Sequence, residues 1–442
     1  MRLINLKAEG YRGFKNLELK FDNKNIHVFF GENGSGKSSI LDLIGKIFES
    51  YILGTTSRKG FYDFQIFDID DVLYKAHEIN IKLDFFNNEN NSKKKIIQNN
   101  FSIEVLTNSI GKIKKHSHES SQDFYINNLK VNPNYNLPIL LYFSGKKNTN
   151  INEVKINFET SYKQESCYKD FHVKEITDFS TFEKWYEQEE RVELLFQKRG
   201  EHNKTNPILD ILKKSVNSFF NSLQILDFKT LGTIIEVNDD IDFKKPTLTF
   251  LGIEKKEIPL KIEQLSDGEK KLLMLVCDIT RRLIIANPSL KNPLDGKGII
   301  LIDEIDAHLH PKWQKNILPA LSNTFPNIQF IVTTHSPIVL TRLKPENSHV
   351  FLIKDFDNIK EVDFHYGRDT NSFLNEFMET PYRDKEVQDK IDVMFEYLED
   401  DNQENFRKGK KLFKELYNYL GQNDSYINSA QTLIHLKEAE YD

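Results

Sequence analysis

A chain of 442 residues is long enough for one large domain with insertions, or for two to three domains. Hydrophobic residues at 39% beside 29% charged are ordinary for a soluble globular protein, and a formal net charge of -6 argues against coating nucleic acid by bulk charge. No apolar run approaches the ~18 residues of a membrane span, MRLINLKAEGYRGF has no signal-peptide core, and the two cysteines, Cys167 and Cys277, are too few for a disulfide framework, so a reducing, cytoplasmic setting is expected.

In chain order, LINLKAEGYRGF, LELKF and NIHVFF read as short strands, the last entering Gly31-Glu32-Asn33-Gly34-Ser35-Gly36-Lys37-Ser38. Ile40, Leu41, Leu43, Ile44, Ile47 and Phe48 then follow at helical spacing. A strand, a G-x-x-x-x-G-K-[ST] loop and a helix together make a phosphate-binding loop. The glycines let backbone N–H groups wrap a phosphate, and the helix N-terminus adds a favourable dipole. Lys37 is positioned to reach the β- and γ-phosphates of ATP and Ser38 to ligate Mg2+, with Ser39 completing the binding stretch.

HEINIKLDFFN (77–87) alternates as a strand, whereas residues 88–134 are Asn- and Lys-rich and read as a surface insertion with strand-like pieces. LPILLYF (137–143) is a candidate buried strand, and residues 179–226 hold two helical segments able to form a hairpin. LSDGEKKLLMLVCDITRRLIIANP follows. Its Ser266-x-x-Glu269 is a capping box, and its exposed N-terminus, with Gly268, is an anion site. In GIILIDEIDAHLHP a buried strand ends in an acidic pair. Asp303 is placed to support Mg2+ and Glu304 to orient and deprotonate a water. FIVTTHSP ends a second strand in Thr333, Thr334 and His335, the last a candidate partner for the γ-phosphate or the attacking water. The tail reads as helices with one apolar stripe at Val387, Ile391, Met394, Phe395 and Leu398, and another at Phe406, Leu412, Phe413, Leu416 and Leu420.

Taken in order, the P-loop, LSDGE, IILIDEIDAHLHP and TTHSP resemble an ABC-type ATPase head of the SMC, RecF and OLD branch. With YRGF (11–14), FEKWYEQEERVE (182–193) and YGRDTNSFLNEFM (366–378), the chain is more narrowly similar to the PtuA-like ATPases of Septu and retron anti-phage defence systems. The resemblance implies an α/β fold, a P-loop NTPase head with a mixed or parallel sheet flanked by helices and an N-terminal β subdomain. It implies an N-lobe at 1–87, a mainly helical insertion at 88–230, a C-lobe at 231–355 and a C-terminal helical region at 356–442 for assembly or partner docking.

In that branch ATP is sandwiched between two heads. The resemblance therefore implies that Ser266, Gly268 and Glu269 act on the nucleotide of another copy, and that Asp306 and His308 lie in the contacting D-loop. Asp267 stands where the commonest signature has glycine. Two positions stay open: Arg12, either near the nucleotide or on the surface, and Gln65, a candidate lid glutamine.

No Toprim or His-Asn-His nuclease pattern is evident. One reading is a dimerising ATPase, or higher oligomer, that regulates a separate effector, an HNH nuclease, touching nucleic acid directly or through that partner. The other is a RecF-like DNA-binding repair ATPase. A transporter subunit is disfavoured by the long interval between the P-loop and LSDGE.

Overall fold

Four runs free of Asp, Glu, Lys and Arg, namely IHVFF, ILLYF, GIILI and IQFIVTT, form the middle of the larger of two units. The fold is given by a computed structural model. It describes residues 1–56, 67–74, 76, 78–90, 96–108, 113–117, 125, 128–144, 163–173, 180–199, 205–224, 228–238, 241–251, 257–356, 358–378 and 383–441. Gln65 lies outside them. Contacts divide the chain into residues 1–369 and 370–442.

The strands of the first unit are β1 (Arg2–Tyr11), β2 (Phe14–Lys20), β3 (Ile26–Phe30), β4 (Glu78–Asn90), β5 (Ile96–Asn108), β6 (Ile113–Ser117), β7 (Ile139–Phe143), β8 (His172–Val173), β9 (Phe228–Asn238), β10 (Ile241–Leu251), β11 (Glu257–Lys261), β12 (Gly298–Ile302), β13 (Ile328–Thr334), β14 (Ser348–Asp355) and β15 (Asn358–Glu361). Among the described residues the central sheet has the order β15-β14-β3-β13-β12-β7-β8. All of its pairings are parallel except β14 with the edge strand β15.

β3, β7, β12 and β13 are buried along their whole length, as parallel strands covered on both faces must be. Parallel direction brings the C-terminal ends of β3, β13, β12 and β7 to one edge. That edge is where open α/β sheets bind ligands.

An antiparallel sheet, β2-β1-β4-β5-β6, is built from the N-terminal strands. In β4 every second residue, Ile79, Ile81, Leu83 and Phe85, is fully buried, the period of a half-buried strand. β4 runs on to Asn90 and pairs with β5 over its full length, so part of the polar stretch after residue 87 continues this sheet. Backbone ladders form whether or not the side chains alternate, and side-chain pattern alone under-reports them.

Gln329 on β13 joins the two sheets. Its buried amide accepts from Leu3 N at 2.8 Å and donates to Leu3 O at 3.0 Å. β9, β10 and β11 form a third, antiparallel sheet. Helices Ser180–Lys198 and Pro207–Ser222 are tied by Asn206, which caps the second through Ile208 N and donates to Glu189 O of the first at 2.9 Å.

The second unit contains helices Thr370–Phe377, Lys385–Glu399, Gln403–Leu420 and Ser425–Tyr441. Its core is Ile391, Met394, Leu398, Phe406, Leu416, Ile427, Ala430 and Ile434, with Val387, Phe395, Leu412, Phe413 and Leu420 packed at its margin. Both apolar stripes of the tail thus face one core, completed by the last helix. No helix among the described residues is long and apolar enough to cross a membrane.

Met394 is fully buried in that core, so Met394→Ala should cost about 2–5 kcal/mol. Hydrogen exchange should quicken across the amides of residues 385–441 and stay unchanged in β12 and β13.

Candidate functional site

β3 ends at Phe30, the chain loops through residues 31–36, and a helix runs from Lys37 to Thr56. Gly31 (φ 153°) and Gly36 (φ 105°) adopt left-handed φ values, and a Cβ on Gly31 would lie 2.1 Å from Ile353 O of β14. Only a glycine fits that seam. Glu32, Asn33 and Gly34 are exposed at the tip, while Ser35, Gly36 and Lys37 are buried. The Lys37 ammonium folds back over the loop and donates to Gly31 O at 2.9 Å and Glu32 O at 2.5 Å. It also donates to Ser35 Oγ at 3.4 Å, so the ammonium lies within the loop at the N-terminus of the helix, the end whose dipole favours an anion.

The acidic pair lies at the same edge. Asp303 is 2% exposed, and its amide donates to Phe143 O at 2.8 Å, continuing the β7 ladder one residue past β12. Asp303 Oδ1 accepts from Ser38 Oγ at 3.0 Å and from Thr333 Oγ1 at 2.5 Å. Ser38 Oγ and Asp303 Oδ1 thus form an all-oxygen pair, the donor type that would suit a hard cation such as Mg2+.

Glu304 is half-buried with φ 50°, a left-handed conformation that costs a non-glycine residue about 1–3 kcal/mol. It is held there from both sides. Its amide donates to Thr333 Oγ1 at 2.8 Å, and its carbonyl accepts from Lys271 Nζ at 2.9 Å. Beyond it, Thr334 Oγ1 donates to Asp306 Oδ1 at 2.5 Å, and Gln314 Nε2 donates to Asp306 O and Leu309 O. His335 follows β13 and is half-buried.

The helix Asp267–Ala286 opens on the expected capping box: Glu269 Oε2 accepts from Ser266 N at 2.8 Å and from Ser266 Oγ at 2.7 Å. Asp267 is exposed in the first turn, where a carboxylate is favourable to the helix dipole. Gly268 is buried, and a Cβ there would stand 2.7 Å from His308 O, so a glycine at this position lets the helix pack onto the loop after Glu304.

Lys271, one turn on, reaches that same loop through Glu304 O and through Ala307 O at 3.1 Å. Burial pulls its ammonium down to about 8, against the opposing pull of Asp306, Glu304 and Asp303. Further along, buried Asp278 pairs with Arg281 and Arg282, and Arg282 donates to the carbonyls of Cys167, Lys169 and Asp170.

Arg12 is turned inward, toward the helix that follows the phosphate loop. Its guanidinium is part-buried, bound to Asp42 at 2.7 Å and Asp71 at 3.1 Å, with Ser39 Oγ at 3.3 Å. Asp42 also accepts from Tyr142 OH at 2.5 Å, and Asp71 pairs with Lys46. This network ties the β1–β2 turn and β7 to the helix behind the P-loop.

The structure thus gathers Lys37, Ser38, Asp303, Glu304 and His335 at one sheet edge. The polar groups of Ser266 and Glu269 bond to each other. Sequence reasoning missed Lys271 and left Thr333 and Thr334 without a role. One signal was available: Lys271, Asp278 and Arg282 recur at helical spacing on a face otherwise apolar. The bonds of Thr333 had none, because they depend on which strands are neighbours.

A family model described as "AAA domain, putative AbiEii toxin, Type IV TA system" matches residues 26–341, a span that includes every site residue from Gly31 to His335. The chain is 29% identical over 455 residues to "Retron Vc95 probable ATPase" of Vibrio cholerae serotype O1 biovar El Tor, across 94% of this chain and 86% of that protein. It is 31% identical over 412 residues to "Retron Ec83 probable ATPase" of Escherichia coli, across 81% of this chain and 73% of the relative. "Septu protein PtuA" of Bacillus thuringiensis is 24% identical over 341 residues, 75% of this chain and 71% of the other.

Lys271→Met would remove a charged donor from two part-buried carbonyls, that of Ala307 and that of Glu304, which keeps the Ala307 amide, and should destabilise the protein by about 1–3 kcal/mol. With a folded-state value of about 8, below the ordinary lysine 10.5, the native chain sheds this proton before the unfolded chain does. The parent should therefore gain stability from pH 8 to 10 relative to Lys271→Met. Melting temperatures of the two proteins across that range check the sign.

Proposed function

The chain belongs to the AAA-domain family of P-loop ATPases and is an ATP hydrolase, and on that premise we propose that it is an anti-phage defence ATPase whose nucleotide-driven dimerisation controls a separate nuclease. The observation that carries the catalytic part is the 3.0 Å contact of Ser38 Oγ with Asp303 Oδ1 across 265 residues of sequence, with Glu304 next in the chain. The retron and Septu relatives support the defence setting.

In this reading the backbone of residues 31–39 wraps the triphosphate of ATP, and Lys37 turns from the loop carbonyls to the β- and γ-phosphates. Ser38 and Asp303 are the residues that would hold Mg2+, which would supply positive charge against the phosphates. Glu304 orients the attacking water and accepts its proton. Its left-handed backbone is locked by Thr333 and Lys271, which fixes the position from which the carboxylate acts. His335 hydrogen-bonds the γ-phosphate or that water from the end of β13.

Ser266, Gly268 and Glu269 complete the site from a second copy. Support comes from the exposure of Ser266 and Asp267 at the N-terminus of this 20-residue helix, the end whose dipole favours an anion. The effector is a separate protein, an HNH-type nuclease docked on the head or the C-terminal helices, and nucleic acid is met directly or through it.

Glu304→Gln should keep ATP affinity, lower turnover by about 100-fold or more, and accumulate an ATP-dependent dimer in light scattering. Hydrolysis at the parental rate would remove Glu304 as the base. Lys37→Ala should lose nucleotide affinity in a fluorescent-ATP titration, and unchanged binding would sink the P-loop assignment.

A further inference from the structure

Away from the nucleotide site, at the opposite end of β3, two histidines stand side by side. His27 and His349 are register partners on the parallel strands β3 and β14. Their rings lie 5.9 Å apart in a cluster with Phe21 and Phe351. A histidine pair between strands is most often aromatic packing, but the hydrogen bonding here has a direction that packing does not require.

His27 Nε2 lies 3.1 Å from Lys24 O, and a carbonyl only accepts, so that nitrogen carries the proton and Nδ1 keeps its lone pair. His349 Nε2 lies 3.2 Å from a carboxylate oxygen of Glu361, which selects the same tautomer. Both Nδ1 atoms are buried and have no hydrogen-bond partner. His27 is fully buried, and burial holds its ring neutral. The third member is Asp22, on the turn before β3. Its Oδ2 is 3.9 Å from His349 Nδ1, and one ligand atom from each of Asp22, His27 and His349 falls within 4.8 Å of the others.

We propose that Asp22, His27 and His349 form a binding site for a divalent transition-metal ion of the Zn2+ class. Two imidazole nitrogens and one carboxylate oxygen make a ligand set that zinc accepts and that Mg2+ and Ca2+ do not favour. Each imidazole is oriented by an acceptor on its far nitrogen, the outer layer that metal-bound histidines usually have. The ion takes up two buried lone pairs that otherwise cost desolvation without return. Asp22 gives up its exposed ion pair with Lys24 in exchange, and exposed pairs of that kind contribute little. A cavity of about 580 Å³ lined by Asp22, His349, Glu361 and Asp363 gives solvent a fourth position.

The ion joins the two strands that bracket the phosphate loop. β3 runs directly into Gly31, and Ile353 O of β14 packs against it.

The test uses the full chain without nucleotide, stripped with EDTA, desalted and exposed to a small molar excess of Zn2+ or Co2+. The parent should retain stoichiometric Zn2+ through gel filtration, melt at higher temperature with it, and show the visible absorption of low-coordinate Co2+. His349→Ala and Asp22→Asn should abolish retention, and Glu361→Gln should weaken it about 10- to 100-fold. Asp22 is exposed, so Asp22→Asn tests the site even where His349→Ala folds poorly. Failure of the parent to retain either ion overturns the proposal. So does unchanged retention in Asp22→Asn, which would place the ion elsewhere.

Discussion

Everything at the candidate site depends on β13 lying between β3 and β12. Parallel pairing on both sides fixes Thr334 opposite Phe30 and Val332 opposite Ile302, so the acidic pair after Ile302 comes level with the last residues of β3, and the phosphate loop leaves the same edge just beyond it. The Thr333 hydroxyl then fills the junction, donating to Asp303 and accepting from the amide of Glu304. A hydroxyl is suited to this because it can donate and accept at once. One side chain thereby orients the proposed metal ligand and holds the backbone of the proposed base.

Strain at Glu304 is the second organising feature. A glutamate at φ 50° persists only where its surroundings over-determine it. Here the restraint comes from Thr333 on the sheet side and from Lys271 on the signature helix. Lys271 is buried at an energetic cost and is compensated by two carbonyls and three nearby carboxylates. The helix that opens with LSDGE is therefore part of the architecture of the acidic loop within one chain, whatever it also does for a neighbour. Gly268 is needed locally, because the His308 carbonyl occupies the space of a Cβ.

Much of the fold was legible in the sequence where pattern and chemistry coincide. The strand–loop–helix context of GENGSGKS, the four-residue apolar run before Asp303, the capping box and the two apolar stripes of the tail all rest on local spacing. Where pattern and backbone part, the reading was coarser. β5 lies inside a stretch that reads as insertion, and β7, from the same region, became a central strand beside β12. Strand pairing is a property of the backbone, so an Asn- and Lys-rich segment can extend a sheet without alternating.

The sequence by itself determined the chemistry available: which residues can cradle phosphate, ligate a hard cation, accept a proton and cap a helix. These follow from side-chain types at short separations, where covalent spacing dictates geometry. Tertiary structure decided the rest: that Ser38 meets Asp303, that Lys271 reaches Glu304 and Ala307, that Arg12 is held by Asp42 and Asp71, and that His27 stands beside His349. Each of these depends on strand order and register, which are set by burial of the whole core. A buried polar group takes whichever partner the packed core brings within reach, and local sequence carries no record of that choice.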